Sequence, residues 1–142
     1  MVIDFAKINY LAVAAAGMAT FFLGAVWYMF LFGKLWIKLH GYTEEKMKEM
    51  QKKVPPPLFF SGMILSYLLI ALVLAILITG LDLKTPLDGA LLGLIIWIGP
   101  AAAIHFTGQL ASDKHIGTYL IDIGYQFVYL LMMGAILGAW RG

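Results

Sequence analysis

Two ionisable residues fall inside long apolar runs, His105 and Asp122. The turn between those runs centres on Asp113 and Lys114, and the two residues are equally far from it. An antiparallel hairpin therefore places them at similar depth, about six residues or roughly 9 Å inside the membrane. Equal depth leaves the rotation of each helix open. A carboxylate facing lipid is costly, so Asp122 is expected to point inward or toward water. An imidazole beside it could share a proton with it, and the two would titrate together. Gln109 lies one turn beyond His105, Thr118 one turn before Asp122, Tyr125 and Gln126 one turn after it, and Tyr129 two turns after. This spacing marks a polar stripe. Three readings stay open: a proton, ion or small-ligand site opening to the cytoplasm, a buried hydrogen-bond cluster locking helices three and four, or a pair wetted by headgroup water.

Other chemistries find little support. His40, His105 and His115 are scattered without metal-ligand spacing, and one His with one Asp is too small a ligand set, so no metal site is expected. Cysteine is absent, which excludes thiol catalysis, iron–sulfur ligation and disulfides. No nucleophile elbow, phosphate loop or nucleotide fingerprint occurs. A net charge of +2 does not suggest a nucleic-acid surface. No cofactor is identified.

The elements that must position these residues are four apolar runs, about 8–32, 58–79, 87–111 and 116–140. Each meets the span requirement of about 20 residues, and none alternates as a barrel strand would. Over residues 1–142, 62% are hydrophobic and 13% charged, with a mean hydropathy of +0.88. A core this small cannot hide that much apolar surface, so it must meet lipid. The expected fold is all-α: one polytopic domain, a four-transmembrane-helix bundle with a short amphipathic connector at 33–57. The first run is too long for a signal-peptide core and reads as the first span.

In the connector, Thr43 can cap a helix with Glu44 and Glu45 in its first turn and Lys52 and Lys53 near its end. Met47, Met50 and Val54 recur at helical spacing and could rest on the membrane surface. Pro55, Pro56 and Pro57 should stop that helix before the second span. Short turns at 80–86 and 112–115 make successive spans antiparallel neighbours. The connector holds Lys34, Lys38, Lys46, Lys48, Lys52 and Lys53, and the third connection adds Lys114; the other side has Lys7, Lys84 and Arg141. The lysine-rich side is expected to be cytoplasmic and both termini non-cytoplasmic. Trp27, Tyr28, Trp36 and Trp140 read as headgroup anchors. Gly17 and Gly24 share a helix face, and Gly89 with Gly93 and Gly134 with Gly138 form G-x-x-x-G pairs, candidates for close helix packing within or between chains. Pro100 after Gly99 predicts a kink in the third span, and Asp88 is a candidate cap for its start.

The stretches Ile8 to Val13, Leu23 to Tyr28 and Phe32 to Trp36, with Leu120 to Tyr125 and Met133 to Trp140 near the end, resemble a mainly bacterial membrane family known as domain of unknown function 1761. The resemblance covers nearly the whole chain and is firmest at its two ends. It implies a four-helix inner-membrane protein and no reaction. Two departures stand out. The family often follows Trp-Tyr with Ser-Pro, where this chain has Met29 and Phe30 after Tyr28. It often has Asn at the position of Asp122, which favours a hydrogen-bonding role there over a shared proton mechanism.

Three functions are open on these grounds. The leading one is a non-enzymatic small integral membrane module, oligomeric or an accessory subunit of a membrane complex, that binds a ligand or partner through intramembrane surfaces. The second is a small proton-, ion- or solute-translocating protein using His105, Asp122 and Gln109. The third is a membrane enzyme acting on a lipid-like substrate, with His105 as general base and Asp122 orienting it.

Overall fold

The computed structural model describes residues 2–141, and their helices begin where side chains can satisfy the first free N–H groups. The Asn9 side chain accepts from the Ala12 N–H and starts α1, Tyr10–Ala25. The span continues through a π-helical segment, Val26–Leu31. The connector contains two helices where the sequence predicts one. Helix α2, Gly33–His40, ends at Gly41 in the left-handed conformation. Helix α3, Glu44–Lys53, is capped by Thr43 as its sequence predicts. The proline run both ends α3 and opens α4, Pro56–Gly80, because a proline in the first turn gives up an N–H that has no partner anyway.

Thr85, not Asp88, caps α5, Pro86–Ile96: its side chain accepts from the Asp88 N–H, and Asp88 sits in the first turn where its charge suits the helix dipole. The third span then runs through a second π-helical segment, Trp97–Ala103, into α6, Ile104–Leu110. Pro100 lies inside that segment, so the irregularity predicted at this proline takes the form of a widened turn. The last span is α7, Ile116–Ala139. Four helical stretches, Tyr10–Leu31, Pro56–Gly80, Pro86–Leu110 and Ile116–Ala139, are long and apolar enough to cross a membrane.

Helix α7 touches all three other spans. Helices α1, α4 and α7 pack as a three-helix core around Ala12, Ala16, Ala71, Leu74, Ile78 and Met133. The alanines let the backbones approach closely. The third span lies along α7 and meets α4 only lightly. Its seam is built on four glycines. A Cβ on Gly89 would overlap the Gly134 carbonyl, and one on Gly134 the Gly89 carbonyl. A Cβ on Gly93 would strike the Leu130 carbonyl, and one on Gly138 the Thr85 carbonyl. The two G-x-x-x-G pairs therefore face each other within one chain. Gly17 and Gly24 go to different neighbours, the first to Leu68 of α4 and the second to Tyr125 of α7.

Burial of the most apolar stretch of each span runs from 17% in the third to 39% in the fourth. The rest, including Leu65, Leu69, Leu91 and Ile95, forms an apolar exterior suited to lipid. At the end of the bundle that holds the termini, the Arg141 guanidinium donates to the carbonyls of Ile78 and Leu83, supplying donors to the end of α4. Lys84 pairs with Asp82 at 3.0 Å and holds its carboxyl below the usual carboxylate range.

Candidate functional site around Asp122

Helix α7 starts at His115, whose Nδ1 accepts from the Gly117 N–H at 2.9 Å, and Asp122 follows less than two turns later, half-buried. Two neutral donors converge on one of its oxygens. The Tyr28 hydroxyl donates to Oδ1 at 2.5 Å, and the Trp36 indole N–H donates to the same atom at 3.1 Å. Tyr28 belongs to the first π-helical segment and Trp36 to α2. The carboxylate thus ties span one and the connector to span four.

Local backbone geometry makes this convergence possible. The Phe32 N–H bonds the Trp27 carbonyl five residues back at 2.8 Å, which closes the widened turn. Gly33 follows at a position where a Cβ would overlap the Tyr28 carbonyl, so the chain can turn there only without a side chain. The Trp36 N–H then bonds the Phe32 carbonyl at 2.8 Å as α2 begins. Tyr28 and Trp36 end edge to face, with ring centres 6.3 Å apart.

The backbone on either side of Asp122 is held in the same way. Trp27 donates its indole N–H to the Ile121 carbonyl at 3.1 Å, and Trp97 donates to the Ile123 carbonyl at 2.8 Å. A carbonyl has two lone pairs, so it can accept an indole while remaining in the helix ladder. Trp27 and Trp97 both come from the π-helical segments. A widened turn keeps its backbone hydrogen bonds within the helix, and here the two segments aim donors at one level of α7.

Among the described residues, no Lys, Arg or His nitrogen lies within ion-pair distance of Asp122; the ion pairs gather at Asp82. Both hydrogen bonds come from neutral donors. The wall beside them is aromatic: Tyr28 meets Tyr125 at 5.3 Å and Tyr125 meets Tyr129 at 4.9 Å. The Tyr125 hydroxyl donates to the Thr20 carbonyl at 2.8 Å, in the space left by Gly24. On the connector side, His40 sits 4.0 Å from the Trp36 ring and stacks on Tyr42 at 4.8 Å. Its Nε2 is enclosed, with no hydrogen-bond partner among the described residues. Burial first, then nearby Lys114, lowers the His40 pKa, while Asp122 opposes the shift.

The stripe predicted from spacing divides into three groups. Asp122 and Tyr125 turn toward the first span, to Tyr28 and to the Thr20 carbonyl. His105 faces Gln126, its Nδ1 lying 3.3 Å from Gln126 Nε2, and its ring meets Tyr119 edge-on at 5.6 Å. The Gln126 Oε1 is enclosed and has no partner among the described residues. Gln109 donates to the Lys114 carbonyl at 2.8 Å and Thr118 to the His115 carbonyl at 2.8 Å, so both finish the 111–115 turn. The hydrogen bonds of His105 and Asp122 thus go to different partners. Sequence reasoning assigned Trp27, Tyr28 and Trp36 to the headgroup layer and missed their part in this site. The available signal was a donor-rich aromatic segment near the one carboxylate deep in a span. Among the described residues, no three His, Asp or Glu side chains gather as a metal ligand set.

A family model described as "Protein of unknown function (DUF1761)" matches residues 11–138. No curated protein matches, and no solved structure matches. The stretches 23–28, 32–36 and 120–125 meet at the Asp122 carboxylate.

Proposed function

We propose that this chain, which belongs to the DUF1761 family of proteins of unknown function, is a non-enzymatic membrane module in which Asp122 latches the connector to the bundle. The module binds a ligand or partner, a second copy included, through its intramembrane surfaces. The observation that carries this reading is the pair of neutral donors on Asp122 Oδ1. An acceptor held this way fixes α2 against α7 and needs no proton transfer to do so. An asparagine oxygen could accept from the same two donors, though less strongly than a carboxylate. The third span leans on α7 and is the least buried of the four, 17% in its most apolar stretch, which leaves a face for such a contact. The excess of lysine in the connector supports an orientation with α2 and α3 cytoplasmic and both termini opposite, and the family resemblance supports a bacterial inner membrane. Subunit number measured on the full chain in lipid nanodiscs tests the assembly claim. Stable oligomers or a retained partner are expected; a strictly monomeric particle with nothing bound would overturn it.

One observation favours a second reading, translocation of a proton or small cation. Among the described residues, both donors reach Oδ1 and none reaches Oδ2, and no cationic group pairs with the carboxylate. That reading expects pH-dependent flux in liposomes that falls in Asp122→Asn. Equal flux from the wild type and the variant removes the carboxylate from any transport step. A lipid-directed enzyme is less well supported, because the base, His105, is engaged with Gln126 and lacks its orienting acid.

A further inference from the structure

The connector carries six lysines, Lys34, Lys38, Lys46, Lys48, Lys52 and Lys53, against Glu44, Glu45 and Glu49. Among the described residues, none of the six has a carboxylate within 4.0 Å. Their placement is regular. On α3, Lys46, Met50 and Lys53 recur at helical spacing, so a half-exposed methionine stands between two free ammonium groups. On α2, Lys34 and Lys38 flank exposed Leu35. Val54, at the end of α3, is also exposed. The connector is tied to the bundle at both ends. Helix α2 begins two residues after the first span ends, and Lys53 lies three residues before Pro56, the first residue of the second span. Three residues reach at most about 10 Å, so the last turn of α3 stays close to the headgroup layer. That distance is about one screening length at physiological salt.

We infer that the connector is an anionic-lipid binding surface, in which the free lysines engage headgroup phosphates and Leu35, Met50 and Val54 dip between the lipids. Charge complementarity and continuity with two spans point to the bilayer as the occupant. Lysine–phosphate attraction adds to apolar insertion in amphipathic helices of this kind, and each reinforces the other. The binding is expected to depend on lipid charge and to weaken with salt.

The chain has no cysteine, so a single Met50→Cys substitution gives one site for a nitroxide label. The full chain is placed in phosphatidylcholine vesicles, and in vesicles with about 30 mol% phosphatidylglycerol. Depth is read from the ratio of oxygen to water-soluble nickel relaxation. The ratio is expected to rise by about two-fold or more with the anionic lipid, and to fall back at roughly 0.5 M salt. Lys46→Gln with Lys53→Gln should lose most of the rise, while thermal unfolding shows that the bundle is intact. A ratio that ignores lipid charge would overturn the proposal, as would a double variant that responds like the parent. Inorganic phosphate added to the neutral vesicles is expected to leave the ratio unchanged; a rise there would assign the lysines to soluble anions and overturn the lipid assignment.

Discussion

Gly134→Ala adds a single methyl group at the seam between α5 and α7. That methyl would occupy the space of the Gly89 carbonyl and lie 3.2 Å from the Ala90 nitrogen. The obstructing atoms are backbone on a facing helix, so no rotamer change relieves the overlap. A relaxed carbon–oxygen contact is about 3.3 Å, and the helices would have to part by roughly 1 Å or more to reach it. Parting them also loosens the approaches at Gly93 and Gly138, which belong to the same seam. Overpacking of this kind costs about 1–3 kcal/mol. In a domain of this size that corresponds to a fall in Tm of roughly 3–10 °C. Thermal unfolding in mild detergent, followed by tryptophan fluorescence, measures it. Gly62→Ala provides the control, because a Cβ there meets nothing within 4 Å. If Gly134→Ala unfolds at the wild-type temperature, the seam within one chain is wrong and these glycines are free to pair between chains.

Other consequences can be checked separately. Tyr28→Phe and Trp36→Phe each remove one donor from Asp122 Oδ1 and should cost about 1 kcal/mol apiece in thermal unfolding. Their double variant should differ from the sum, because the two donors share one acceptor. The His40 pKa is lowered in the fold, so the folded state favours the neutral ring; its contribution is full above about pH 6.5 and is lost as pH falls through the lowered value. A nitroxide at Lys38→Cys should therefore gain mobility below that pH, and His40→Gln should remove the step. Arg141→Gln withdraws guanidinium donors from the Ile78 and Leu83 carbonyls and should lower stability by about 1 kcal/mol, read as a fall in Tm.

The spans were legible because each is an apolar run of sufficient length, and such a signal needs no knowledge of neighbours. Thr43 and the glycine pairs were legible for the same reason, since capping and small-residue spacing are local. Helix α2 was not, because Gly33–His40 mixes Lys34 and Lys38 with Leu35, Trp36 and Ile37 in a stretch too short for a clear period. The site at Asp122 was half legible. Its place early in the fourth helical span followed from counting residues, but its partners depended on helix rotation, which two π-helical segments alter without any sequence period to reveal them. Trp27, Tyr28 and Trp36 combine an apolar body with a polar tip, so composition alone suits both a headgroup anchor and a buried donor. Gly33 offered the missing cue, since its position requires the chain to turn between Tyr28 and Trp36.

The latch at Asp122 is tested most directly by the mobility of α2. A nitroxide at Lys38→Cys is compared in three backgrounds in lipid nanodiscs: the native carboxylate, Asp122→Asn and Asp122→Leu. Asparagine keeps an oxygen that can accept from Tyr28 and Trp36, so its spectrum is expected to stay as immobile as the parent's. Leucine leaves both donors without an acceptor, a loss of about 1–3 kcal/mol for each, and the label should become mobile. A label equally immobile in Asp122→Leu would contradict the latch outright. A label as mobile in Asp122→Asn as in Asp122→Leu would show that the charge itself is needed, and the site would pass to the cation reading.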